Sequence, residues 1–190
     1  MPQPNPNRFV SAYVVRSVAR AMLPFYRKIA SNKTFASQWG RAVVDVNVTE
    51  MQRLFRLASP LAKNPLPGSF KSGYNVYFEF KGKIDIYGVD ILLPPGTLKL
   101  ISQEIRAHQK MAQAILPLYR ALASDTPFAE VWARAIRAGN TAKIDALVRR
   151  RIPTPALRSI SIGGSGVTLT FKFAFSPYTY EHLLYHPVFE

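Results

Sequence analysis

Two segments far apart in this sequence alternate apolar with polar residues, and this alternation constrains the fold more than any other feature. The first covers about residues 74–93 and the second about residues 157–176. A period of two is typical of β-strands, and glycine near the middle of each segment predicts a hairpin turn. Since the intervening residues have helical periodicity, we expect one antiparallel sheet from the two hairpins, packed with several α-helices in an α+β fold.

The turn of the second hairpin contains three glycines and a serine, a composition also found in phosphate-binding and nucleophile loops. A phosphate-binding loop requires a lysine and a helix after its last glycine, but a strand pattern follows Gly166. A nucleophile elbow requires glycines two positions before and after its serine, and Ser165 has Gly163 on one side but Val167 on the other. We therefore predict a hairpin turn with no catalytic role.

The other segments predict helices joined by short connections. A helix is expected over residues 9–30, kinked or divided at Pro24, and another from a capping box at Thr49. The later helices are expected over residues 98–123 with a break at Pro117, from Thr126 to about 138, and over 141–151. Residues 59–69, which are rich in proline and glycine, are interpreted as a linker.

The length of 190 residues predicts one domain. We expect a single α+β domain over residues 1–190, with an N-terminal extension of about residues 1–8. A short aromatic C-terminal tail of about residues 177–190 is expected to follow the second hairpin. The sequence contains no run of about 18 uncharged apolar residues. It therefore predicts no transmembrane helix, and we expect a soluble chain with the cytoplasm as the favoured compartment.

The net charge is +14, from 25 basic and 11 acidic residues. Residues 1–68 hold ten basic and two acidic groups and residues 99–155 hold ten and four, whereas charges balance elsewhere. The net charge thus lies in the helical segments, which predicts a polyanionic partner or surface. The candidate binding residues are Arg16, Arg20, Arg27, Lys28, Arg134, Arg137, Arg149, Arg150 and Arg151. For Arg149–Arg151 a second explanation stays open, because cations also stabilise a helix C-terminus.

The sequence has no cysteine, which excludes disulfides, thiolate catalysis and cysteine-based zinc sites. His182 and His186 have the i, i+4 spacing of metal ligands and are weak metal candidates. Because no third ligand is evident, we interpret them as surface histidines without metal. His108 lies on an apolar helical stripe and is expected near the core, oriented by Glu104. We predict no catalytic residues and no cofactor.

These observations favour a non-catalytic, structural protein that assembles with itself into a homo-oligomer or larger assembly. It would act through contacts between subunits and through its basic helical surface. The first alternative is a nucleic-acid-binding protein that contacts the phosphate backbone through residues 8–41 and 134–151. A weaker alternative is association with a membrane surface through the basic N-terminal helix. An enzyme whose histidines meet only in the folded chain is the remaining hypothesis.

Overall fold

A computed structural model describes residues 6–70, 73–81, 86–92, 101–164 and 166–185, with only the backbone at 6, 92, 101–104 and 185. A 3₁₀ helix at Pro6–Phe9 comes first. The α-helices are α1 (Ala12–Ser31), α2 (Lys33–Val44), α3 (Val48–Ala58), α4 (Ile101–Ser124), α5 (Thr126–Arg137) and α6 (Thr141–Arg149). The strands are β1 (Pro65–Phe70), β2 (Gly73–Glu79), β3 (Ile86–Leu92), β4 (Leu157–Gly163), β5 (Gly166–Lys172) and β6 (Thr179–Tyr185).

The described strands form one antiparallel sheet in the order β1-β2-β3-β6-β5-β4. The two predicted hairpins are present as β2–β3 and β4–β5, and the α+β prediction is confirmed. The glycine run is a turn, because Gly163 and Gly166 face each other at its base and Gly166 has a φ of 134°. Ser165 lies outside the described residues.

Strand β6 joins the two hairpins into one sheet. It lies between β3 and β5, so that Leu184 faces Val89 on one side and Val167 on the other. The sequence analysis placed these residues in a C-terminal tail beyond the sheet. Instead, residues 179–185 of that segment form a central strand of the sheet.

The proposed linker at residues 59–69 also contains a strand, so that prediction is wrong for its second half. In β1, the buried Pro65 and Pro67 face Phe78 and Val76 of β2. Proline cannot donate a ladder hydrogen bond, but an edge strand has one row of backbone groups that needs no neighbouring strand. The prolines therefore mark an edge strand, and they discourage a further strand from pairing there.

The helices cover the face of the sheet that carries its large apolar side chains. Alternate residues of β2 (Tyr74, Val76 and Phe78) are buried on this face, as the period of two requires. Neither Pro24 nor Pro117 ends its helix, since both lie inside continuous helices. The predicted starts of α3 and α5 are each displaced, because Asn47 and Asp125, rather than Thr49 and Thr126, accept the capping hydrogen bonds.

Two junctions between helices have the same backbone hydrogen bonds but different residues at the position of positive φ. Between α5 and α6 this residue is Gly139 (φ 60°), and between α2 and α3 it is Val46 (φ 52°). In both, the next residue donates its N–H to a carbonyl five residues back, Asn140 to Ala135 and Asn47 to Ala42. Val46 is 62% exposed, so packing does not explain a β-branched residue in this strained conformation.

We expect Val46→Gly to raise the free energy of unfolding by about 1 kcal/mol, because relief of the left-handed strain outweighs the added entropy of the unfolded chain. Gly139→Val is the reciprocal control. No atom lies within 4 Å of a Cβ at position 139, so its expected loss of about 1–2 kcal/mol would come from φ alone. Urea denaturation of both variants measures the effect, and a destabilised Val46→Gly protein would contradict it.

Candidate functional site

His108 is buried between α4 and the sheet, as the sequence analysis predicted. Its Nε2 atom shares a hydrogen bond of 2.7 Å with the hydroxyl of Tyr74 on β2, and the two rings lie edge to face. The expected orienting carboxylate belongs to Glu104, whose side chain lies outside the described part of the chain. Among described side chains, the hydrogen-bonding partner of His108 is a tyrosine hydroxyl.

His182 lies in the core, so the interpretation as a surface histidine is wrong. Its segment is strand β6 rather than a helix, and alternation along the strand points His182 inward together with Tyr180 and Leu184. Its Nε2 atom shares a hydrogen bond of 2.8 Å with the Tyr119 hydroxyl. The Tyr26 ring of α1 packs edge to face against both partners. His186 lies outside the described residues.

We call Tyr26, Tyr74, His108, Tyr119 and His182 the tyrosine–histidine cluster. Burial lowers the pKa of His108 to about 4 and that of His182 to about 3, and it raises the pKa of the three tyrosines. The cluster is therefore uncharged at neutral pH. Its histidines do meet hydroxyl groups, as the enzyme hypothesis requires, but no member is more than 6% exposed. These contacts are typical of a packed core, and a substrate could reach the histidines only if the core opened.

Metal binding finds no support in the described residues. Within them, no three side chains of the metal-binding types (histidine, aspartate and glutamate) lie close enough together to hold an ion. The i, i+4 spacing that suggested His182 implies a shared face only on a helix. Along a strand, residues four apart are separated by about 13 Å.

The outer side of the helical layer carries the second candidate site. Helices α1 and α4 pack side by side and antiparallel, joined by side chains that donate to backbone carbonyls across the groove between them. Arg20 Nε donates to the carbonyl of Ala123, at 3.0 Å, near the end of α4. Gln113 Nε2 donates to the carbonyl of Ala30, at 3.1 Å, near the end of α1. These bonds fix the two helices at both ends of their contact.

We call five cations of these two helices the α1–α4 seam: Arg16, Arg20 and Arg27 of α1 with Lys110 and Arg120 of α4, of which Arg20 bonds across the groove. Arg16 is half-buried and the other four are exposed. The α1 cations follow one helical stripe, and about 16 Å of helix axis separates the first from the third. Helix α1 contains no acidic residue, and α4 contains none after Glu104. Asp125, the next acidic residue in the chain, is occupied in capping α5.

Several other candidate cations already have partners within the chain. Arg149 forms an ion pair with Asp145 at 3.0 Å, and the Arg151 guanidinium lies over the Phe128 ring. On α5, Arg137 Nη1 donates to the carbonyl of Val10 at 2.6 Å. Arg150, Arg134 and Lys28 are exposed. Thus the densest basic run of the sequence is partly neutralised, whereas neither of the ion pairs found among the described side chains involves a seam cation.

Sequence reasoning did not select Lys110 and Arg120 as site residues. The available signal was their position outside the apolar stripe of α4, which indicates exposure but not the neighbouring helix. Only the packing of α4 against α1 brings their helix alongside the one that carries Arg20 and Arg27.

The chain matches no protein-family model, and comparisons with curated proteins and with solved structures found no match. Among the described residues, no helix combines the length and the apolar character needed to cross a bilayer.

Proposed function

We propose that this protein acts by association rather than catalysis, and that it binds phosphate-bearing polyanionic surfaces through the α1–α4 seam. The observation that carries the proposal is the packing of two helices that bear the five seam cations and, over α1 and residues 105–124 of α4, contain no carboxylate. Elsewhere the described side chains form two ion pairs, Glu50–Arg53 and Asp145–Arg149, so acidic residues neutralise few of the cations. Neighbouring helix axes lie about 8–10 Å apart, so the seam is a compact patch of like charge.

The energetic argument is counterion release. Cations held close together on two rigid helices repel one another, and a row of phosphates relieves that repulsion while both partners release condensed ions. Arg20 is already oriented by its bond to Ala123, and a fixed side chain loses little entropy when a phosphate binds. Such contacts position a partner without reading a base sequence.

Self-assembly, the function first favoured from the sequence, stays a prediction and ranks second. A net charge of +14 opposes contact between copies of the chain at low salt. The same charge favours binding of a polyanion, so the net charge supports polyanion binding over self-assembly.

The test is binding of a mixed-sequence duplex oligonucleotide, measured by fluorescence anisotropy across a range of salt concentrations. Replacing Arg27, Lys110 and Arg120 by glutamine should reduce the slope of log K against log salt by about 2–3, since each lost phosphate contact removes about 0.9. At low salt this corresponds to a loss of affinity of about a hundredfold.

The matched control replaces Lys143, Arg150 and Arg158 by glutamine, which removes the same net charge from exposed positions away from the seam. We expect it to weaken binding by less than about threefold, because only the screened long-range field changes. Equal losses of affinity in the two triple variants would show that binding depends on the net charge of the protein rather than on the seam. Failure of the unaltered protein to bind either the oligonucleotide or anionic phospholipid vesicles at low salt would refute the proposal.

A further inference from the structure

The turn that follows α3 exposes two leucines to solvent. Leu57 is 63% exposed and Leu61 is 94% exposed, and the exposed Pro60 lies between them. We call residues 57–63 the leucine turn. Single exposed apolar residues are ordinary on protein surfaces, but an almost fully exposed leucine beside a second one is a small apolar projection.

The leucine turn is anchored at its centre by Ser59, which is itself buried. The Ser59 N–H donates to the carbonyl of Phe55, and its hydroxyl donates to the carbonyl of Ala21 on α1 at 2.7 Å. The N–H of Ala62 donates to the Ser59 carbonyl and closes the turn. The leucines are therefore held outward by a fixed backbone, and their exposure does not come from a loosely packed loop.

The anchor places the leucine turn beside the seam. Ala21, which accepts from Ser59, is the neighbour of Arg20 in the chain, so α1 has α4 along one flank and the leucine turn along the other. Arg56 and Lys63 are exposed next to the leucines. Residues 51–78 contain no aspartate or glutamate. The leucines thus have exposed basic neighbours, and their turn is anchored to α1 one residue from Arg20 of the seam.

We infer that the phosphate-bearing surface is an anionic phospholipid bilayer, into which the leucine turn inserts while the seam cations contact headgroups. The inference rests on the proposed function, and it adds the identity of the partner. Leucine gains nothing from contact with the phosphate backbone of a nucleic acid. At a bilayer it enters the boundary between headgroups and acyl chains, next to phosphates that attract lysine and arginine.

The experiment measures cosedimentation with vesicles of phosphatidylcholine alone or of equal parts phosphatidylcholine and phosphatidylglycerol. The protein should bind the anionic vesicles and not the neutral ones. Replacing Leu57 and Leu61 by serine should weaken that binding by about tenfold per leucine while oligonucleotide binding stays unchanged. The matched control replaces Val46 and Val48, exposed at the other end of α3, by serine and should leave vesicle binding intact.

A second readout is the fluorescence of Leu61→Trp. Both native tryptophans, Trp39 and Trp132, are buried, so the added indole reports on the leucine turn, and its emission should shift to the blue with anionic vesicles. Unchanged vesicle binding by the double-leucine variant, or binding of the oligonucleotide without binding of anionic vesicles, would overturn the bilayer inference and leave the proposed function standing. Binding of neither probe at low salt would overturn both.

Discussion

Lowering the pH from 7 to 5 is expected to reduce the free energy of unfolding by about 2.5 kcal/mol. Burial holds the pKa of His108 near 4 and that of His182 near 3, whereas unfolding returns both to about 6.5. At these two histidines, the unfolded chain therefore binds close to two more protons than the folded chain near pH 5. Stability that is present above pH 6.5 is lost as the pH falls, at about 2.7 kcal/mol per pH unit from the histidines alone.

Asp90 has the opposite effect on the pH dependence of the free energy of unfolding, which allows a second variant to test the prediction. Burial raises the pKa of its carboxyl to about 6 from 3.8, so the folded chain retains a proton there that the unfolded chain releases. The stability that Asp90 contributes is lost as the pH rises through 6. Near pH 5, the proton that the folded chain holds at Asp90 offsets about one of the two protons that the unfolded chain binds at its histidines. Asp90→Asn should therefore steepen the loss between pH 7 and 5 to about 4 kcal/mol.

Urea denaturation at several pH values measures both slopes. The matched variants remove one hydrogen-bonded pair at a time, Tyr74→Phe with His108→Leu or Tyr119→Phe with His182→Leu. Replacing both partners removes the histidine without leaving the hydroxyl that it bonds unpaired. Each should lower the pH-dependent loss by about 2 kcal/mol. A pH profile unaffected by either double variant would show that the histidines do not titrate as their burial requires.

Gly88→Ala is expected to destabilise the protein by about 3 kcal/mol. Gly88 lies in β3, in the interior of the sheet, opposite Tyr77 of β2. A Cβ there would collide with the backbone carbonyl oxygen of Val76 and lie 2.8 Å from the Tyr77 Cα atom. Since these atoms belong to a paired strand, they cannot move without breaking the ladder between β2 and β3.

The control is Gly163→Ala in the exposed β4–β5 turn. No atom lies within 4 Å of a Cβ at that position, so a change of less than about 0.5 kcal/mol is expected. Thermal and urea denaturation of the two variants compares the same substitution with and without a backbone collision. Equal stabilities would mean that the central strands tolerate a side chain at position 88.

Local patterns predicted those parts of the fold that depend on near neighbours in the sequence. The alternation in residues 74–93 and 157–176 specified two hairpins, and the glycines around Gly163 specified a turn. Strand β6 escaped prediction because its inward residues are Tyr180, His182 and Leu184, a set that local hydropathy does not separate from a polar tail. Its strand conformation depends on pairing with β3, which is distant in sequence, as well as with β5, the strand that precedes it.

The candidate site, like the fold, was only partly predictable from the sequence. The sequence by itself determined that the helical segments carry the net charge, since charge is a sum over residues and needs no contacts. The tertiary structure alone decided which distant segments stand together: it joined α1 to α4 and anchored the leucine turn to Ala21, the neighbour of Arg20. The physical reason is that amphipathic periodicity fixes which face of a helix is buried, whereas the neighbour that covers it depends on long-range packing.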